Sequence, residues 1–190
     1  MKIKAVFGLF LCLLLCGCGE DVGYEYSNYH CNLGLDNSTH LDPTLASAMN
    51  ATSPGVFCTI SYSYSNAFYY VFSSNQGQKT TSIFNAIDQR MDNQQRMGRN
   101  NGLIVGFGNL DNPAIFYAYD AECPNCYNPS ALPVRSYKLS VSSSGIATCA
   151  NCKRSYNLNT GGNIVAGSAG NLLERYRATT TGPNGLLHVY

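Results

Sequence analysis

The chain has 190 residues, of which 12% are charged, with 12 Lys and Arg against 11 Asp and Glu. That near-neutral balance, without any run of like charge, excludes the basic footprint of a nucleic-acid binder. With 14 Tyr, 8 Phe and 18 Gly the composition leans towards strands and tight turns, and the length suffices for one core.

The N-terminus reads MKIKAVFGLFLCLLLCGCGED. Lys2 and Lys4 give a basic start, and Ala5 to Leu15 is almost wholly apolar. That run is too short to span a bilayer and suits the core of a secretory signal. Leu15-Cys16-Gly17-Cys18 resembles the bacterial lipobox, in which a small residue precedes a cysteine that is acylated and becomes the new N-terminus. The resemblance implies a signal peptide over 1–17, lipid on Cys18 and a short tether over 18–29. One domain follows over 30–190, attached to the membrane through its lipid. Gly19-Glu20-Asp21 resembles the acidic segment that follows the lipid cysteine in Bacteroides-type lipoproteins. It implies an outer-membrane, surface-exposed place in the cell envelope.

Strand signals dominate the rest. Val56 to Ser63 and Ala67 to Phe72 flank a Ser-Asn turn and predict a hairpin. Thr81 to Met97 is the one helical candidate, with Ile83, Phe84, Ile87 and Met91 at spacings of three and four. Leu103 to Phe107 follows the turn signal Asn100-Asn101-Gly102 and predicts a strand. Ile115 to Tyr119 predicts another, running directly towards Cys123. Ser136 to Val141 and Ile146 to Cys149 form an expected hairpin around Ser-Ser-Ser-Gly. Leu158 to Asn163 is a turn. Leu172 to Thr179 is expected to pair with Leu186 to Tyr190 across Gly182-Pro183-Asn184-Gly185.

The chemistry concentrates in two C-x-x-C pairs, Cys123/Cys126 and Cys149/Cys152, with 22 residues between them. Each stands at the end of an expected strand. A C-x-x-C turn sets two sulfurs on one side of a tight loop, and two such loops together offer a tetrahedron of thiolates. That is the usual structural zinc site. The spacer slightly exceeds the common span, and the hairpin inside it accounts for the excess. Four thiolates also suit a rubredoxin-like iron or, with all four cysteines, a [2Fe–2S] cluster. Two disulfides are a further reading, since an envelope is oxidising. Dithiol exchange chemistry needs a low-pKa thiolate opening a helix, and neither pair opens one.

The order of elements around these pairs resembles the Rieske iron–sulfur domain. The likeness lies in AYDAECPNC, then ATCANCKRSYNLNTGGNIVAGSAGNLLERYRATTTG, then LLHVY, covering Phe107 to Tyr190. It implies an all-β fold of stacked antiparallel sheets with two ligand loops at one tip. The whole chain resembles small Rieske-like lipoproteins of Bacteroides-type bacteria. A Rieske cluster requires a histidine in each loop. Here Asn125 stands at the first histidine's place and Cys152 at the second's, while His30, His40 and His188 lie in neither loop. The expected tip is therefore a zinc-ribbon-like pair of knuckles.

Cys31 and Cys58 remain, 27 positions apart. As an even leftover pair in an oxidising compartment they are expected to form a disulfide, with two buried free cysteines as the alternative. No catalytic set stands out. LDNSTHLDP, around His40, reads as a polar loop that caps backbone groups, and the glycines at 106–108 and 161–162 read as turns or bulges. Asp120 and Glu122 are expected to be solvated loop carboxylates. The expectation is a non-enzymatic, lipid-anchored accessory or interaction module with a structural zinc. The alternative is an envelope electron carrier with iron in the same site.

Overall fold

The computed structural model describes residues 25–190. The expected signal peptide and Cys18 lie outside the described residues. Thirteen short strands follow one another: β1 (Leu33–Asp36), β2 (Phe57–Ser65), β3 (Ala67–Ser74), β4 (Lys79–Ile83), β5 (Leu103–Phe107), β6 (Phe116–Asp120) and β7 (Ser140–Val141). Then come β8 (Ile146–Thr148), β9 (Ser155–Asn157), β10 (Asn163–Ala166), β11 (Arg175–Tyr176), β12 (Ala178–Thr180) and β13 (Leu186–Val189). They form three antiparallel sheets, in the orders β1-β13-β12, β10-β9-β8-β7 and β11-β6-β5-β2-β3-β4. The described residues are mostly sheet, as the composition implies, with a few short helices.

The six-stranded sheet lies between two cores. Successive strand side chains point to opposite faces, so β5 divides its apolar run. Leu103 and Val105 join Leu33, Leu35, Leu187 and Val189 of the three-stranded sheet. Ile104 joins Ala147, Tyr156 and Leu158 beside the four-stranded sheet. β6 divides likewise, with Ala118 in the first core and Tyr117 and Tyr119 in the second. This explains why LIVGF lacks any polar alternation. The first core is closed by the helix Pro43–Ala48, whose Leu45 and Ala48 are buried. Asp42 caps it by accepting from the Leu45 amide at 2.9 Å. Asp36 accepts from Ser38 N at 2.9 Å, so the LDNSTHLDP stretch does cap backbone groups.

The β2–β3 hairpin forms in register around Ser65↔Ala67, with Asn66 left-handed at φ 63°. The β7–β8 hairpin also forms, but residues Ser136 to Leu139 take another course. Leu139 N donates to Ala121 O at 2.8 Å, and Cys123 N donates to Tyr137 O at 3.0 Å. This segment therefore runs beside the approach to the first knuckle.

Three expectations need correction. The helix expected over 81–97 is confined to Ala86–Met91, followed by a 3-10 turn at Asp92–Gln94. Thr81 and Ile83 belong to β4, where they pair with Val71 and Tyr69. Ile83 and Ile87 are exposed, so their spacing marks no buried helix face. Asn85 instead starts the helix with a capping box to Asp88. Leu172 to Thr179 is not one strand: β11 pairs with β6 and β12 with β13, so the chain changes sheets at Arg177. Finally, Glu25 to Tyr29, expected as tether, lies against the domain. Ser27 N donates to Arg175 O at 2.7 Å, Tyr26 stacks on Arg175 and Arg177, and Tyr29 stacks on Arg99.

Candidate metal centre

The first knuckle follows β6 and is fixed by two buried carboxylates. Asp120 accepts from Glu122 N at 2.7 Å, Arg99 N at 2.6 Å and Tyr176 Oη at 2.8 Å. Glu122 accepts from Asn100 Nδ2 at 2.7 Å and from Ser136 Oγ and Tyr137 N. Both carboxylates are buried, which corrects the expectation of solvated loop groups. Burial pushes the Asp120 carboxyl above the usual range, against the hydrogen bonds it accepts. The turn itself closes as Cys126 N and Tyr127 N donate to Cys123 O at 3.1 and 2.9 Å.

The second knuckle follows β8. Cys149 N donates to Arg154 O, and Lys153 N to Cys149 O, both at 3.0 Å. Lys153 sits left-handed at φ 61°, which lets the chain reverse into β9.

The two knuckles meet. Cys123 Sγ lies 3.6 Å from Cys152 Sγ, and Cys149 Sγ lies 3.8 Å from Cys126 Sγ. All four sulfurs lie within 4.8 Å of one another. A disulfide would need about 2.05 Å, so these are four free thiols. A tetrahedron with metal–sulfur bonds of about 2.3 Å has edges of about 3.8 Å. The four cysteines are thus close enough to bind one metal ion. A two-iron cluster interposes bridging sulfides and spreads the outer thiolates further than this. His30, His40 and His188 contribute nothing to the cluster. His40 is buried against Asp88 at 3.1 Å and Ser82 at 2.7 Å, and His188 stacks on Tyr190.

Hydrogen-bond donors and burial act on the sulfurs in opposite directions. Asn125 Nδ2 donates to Tyr156 Oη at 2.9 Å, which leaves the tyrosine proton for Cys123 Sγ at 3.4 Å. Asn151 Nδ2 donates to Cys126 Sγ at 3.3 Å. Burial pushes the Cys123 thiol up to about 12, despite its bond from Tyr156. Burial also raises Cys126. For Cys152 burial is outweighed by the Arg154 amide and guanidinium and by the neighbouring thiols, which bring it down to about 6. A metal would displace the thiol protons, so its binding releases them.

Sequence reasoning missed these supporting residues. Asn occupies the third place of both CPNC and CANC, a repetition that was visible. Arg154 Nε and a terminal nitrogen donate to Ser168 O and Ala169 O, both at 3.0 Å. Asn125 donates to Asn171 O at 2.8 Å and accepts from Asn171 N at 2.9 Å. Together they clamp the 167–171 loop beside the knuckles, a long-range contact that spacing does not reveal.

Cys31 and Cys58 are both buried in the first core and are free thiols in the structure. Their neighbours differ. Burial pushes Cys31 up to about 11 beside the Gly98 amide, whereas Cys58 Sγ donates to Thr59 O at 3.6 Å. No protein-family model matches the chain, and no curated protein is significantly similar to it.

Proposed function

We propose that this is a lipid-anchored envelope protein of Rieske-like fold, in which one structural zinc replaces the iron–sulfur cluster, and that it serves as a non-enzymatic accessory or interaction module. The observation that carries the metal reading is the group of four sulfurs within 4.8 Å of one another, reached from two strand ends. Three stacked antiparallel sheets, with the first strand beside the last, support the fold reading. Here the metal would be held by Cys123, Cys126, Cys149 and Cys152, with Tyr156 and Asn151 donating to the sulfurs. A zinc ion supplies cross-linking between the two knuckles and no redox chemistry. Cys123 and Cys149 are buried, so half of the ligand set is closed to solvent.

A second reading rests on one observation. Cys126 and Cys152 are only half-buried. That leaves one edge of the site near the surface, where an iron ion would exchange electrons with a partner.

Metal content per chain, measured on protein exported in its own cells, tests this. One zinc supports the first reading, one iron moves it to the second, and no metal overturns both. The anchor rests on LLLCGC. Cys18→Ser should shift the protein from the detergent-extracted membrane fraction to the soluble one. A variant that stays in the membrane as the parent does would remove the lipid from this account.

A further inference from the structure

The chain holds a second candidate site, independent of the cysteines. A cleft of about 440 Å³ is lined by Tyr29, His30, Tyr62, Arg96, Arg99 and Asn101, among others. That volume lies at the small end of ligand pockets, suited to a small molecule rather than a polymer.

Its walls are fixed. Asn32 and Arg96 exchange backbone hydrogen bonds of 2.9 and 2.7 Å. Asn101 accepts from Tyr62 N at 3.1 Å and donates to Tyr62 O at 2.9 Å. The Arg99 guanidinium stacks on Tyr29 at 4.3 Å and on Tyr127 at 5.1 Å.

The Arg99 guanidinium is loosely partnered, although Asp120 accepts from the Arg99 backbone amide at 2.6 Å. The Arg99 side chain is 6% exposed, and its Nε has no acceptor among the described residues. Its Nη2 makes two long bonds, both 3.3 Å, to Tyr29 Oη and Tyr127 O. The carboxylate paired with it, Glu174, stands 3.9 Å away. Buried charged donors normally find closer partners than these. Arg96 is exposed, and no carboxylate lines the cleft. Of only 12 basic residues in the chain, two meet here beside His30.

We propose that this cleft binds the oxyanion of a small ligand, a carboxylate, phosphate or sulfate, between Arg96 and Arg99. The planar fork of arginine matches the paired oxygens of each of these groups. Arg99 is the fixed half, oriented by its two tyrosines. Arg96 is the adjustable half that closes on the ligand. Tyr29 and Tyr62 line the cleft beside them.

The test uses the full chain in detergent, labelled with ¹⁵N-arginine, and three probes: glucuronate, inorganic phosphate and sulfate. Their ranking identifies which oxyanion fits. The Nε–H signals of Arg96 and Arg99 should shift saturably with at least one probe. Arg96→Gln should weaken that binding at least tenfold at an unchanged melting temperature, because Arg96 is exposed. Arg99→Lys, which keeps the charge and loses the fork, should weaken it as well. Absence of a saturable shift with all three probes, or undiminished binding in Arg96→Gln, overturns the proposal.

Discussion

Replacing Cys149 by serine should abolish stoichiometric metal retention and lower the melting temperature, while leaving most of the sheet signal intact. Cys149 is buried and within 4.8 Å of the other three sulfurs, so no solvent ligand would replace it easily. Changes around a metal's ligands already cost about 10–100-fold in affinity, and loss of a ligand should exceed about a hundredfold. Binding energy at such a site goes into holding its loops together. The first core holds none of these four cysteines, so the damage should stay with the knuckles and the part of the second core around them. Hydrogen exchange should quicken at residues 123–127, 149–154 and 167–171, where Asn125 and Arg154 clamp the loop. Exchange in β5 should change little. Full metal retention and unchanged exchange in Cys149→Ser would show that the four sulfurs do not act as one ligand set.

Gly106→Ala should be among the most damaging single substitutions in the domain, costing roughly 3 kcal/mol or more. Gly106 lies in β5, opposite Phe57 in the middle of the six-stranded sheet. A Cβ there would run into the Val56 carbonyl oxygen and the Phe57 side chain and backbone. Backbone atoms of a central strand cannot move aside without breaking the ladder between β2 and β5. Urea denaturation should give a lower midpoint with a similar slope. Gly34, in β1, is the control, because a Cβ there meets nothing within 4 Å. Equal stability of the two alanine variants would contradict this account of the packing.

What could be read from the sequence was mostly local. LIVGF, the β2–β3 hairpin and the Ser-Ser-Ser-Gly turn are specified by neighbouring residues, and the doubled C-x-x-C picks out the four cysteines that the structure brings together. The rest depended on distant partners. Ile83 and Ile87 sit at helical spacing, yet Ile83 belongs to β4 because β3 lies beside it. The change of sheets at Arg177 follows from which strands are already neighbours, not from the residues of that segment. Asp120 and Glu122 looked like loop carboxylates, but amides and hydroxyls converge on them from residues 99, 100, 136, 137 and 176. Tyr26 and Tyr29 find arginines at positions 99, 175 and 177, and no spacing rule connects them.

The central claim is that a single metal ion is held by Cys123, Cys126, Cys149 and Cys152. X-ray absorption at the metal edge of the protein purified without added metal tests it most directly. The account predicts one shell of four sulfurs at about 2.3 Å, with no nitrogen or oxygen neighbour and no second metal. The same shell at the zinc edge supports the structural reading, and at the iron edge the electron carrier. A mixed shell containing nitrogen or oxygen, or a metal neighbour across bridging sulfides, would contradict it.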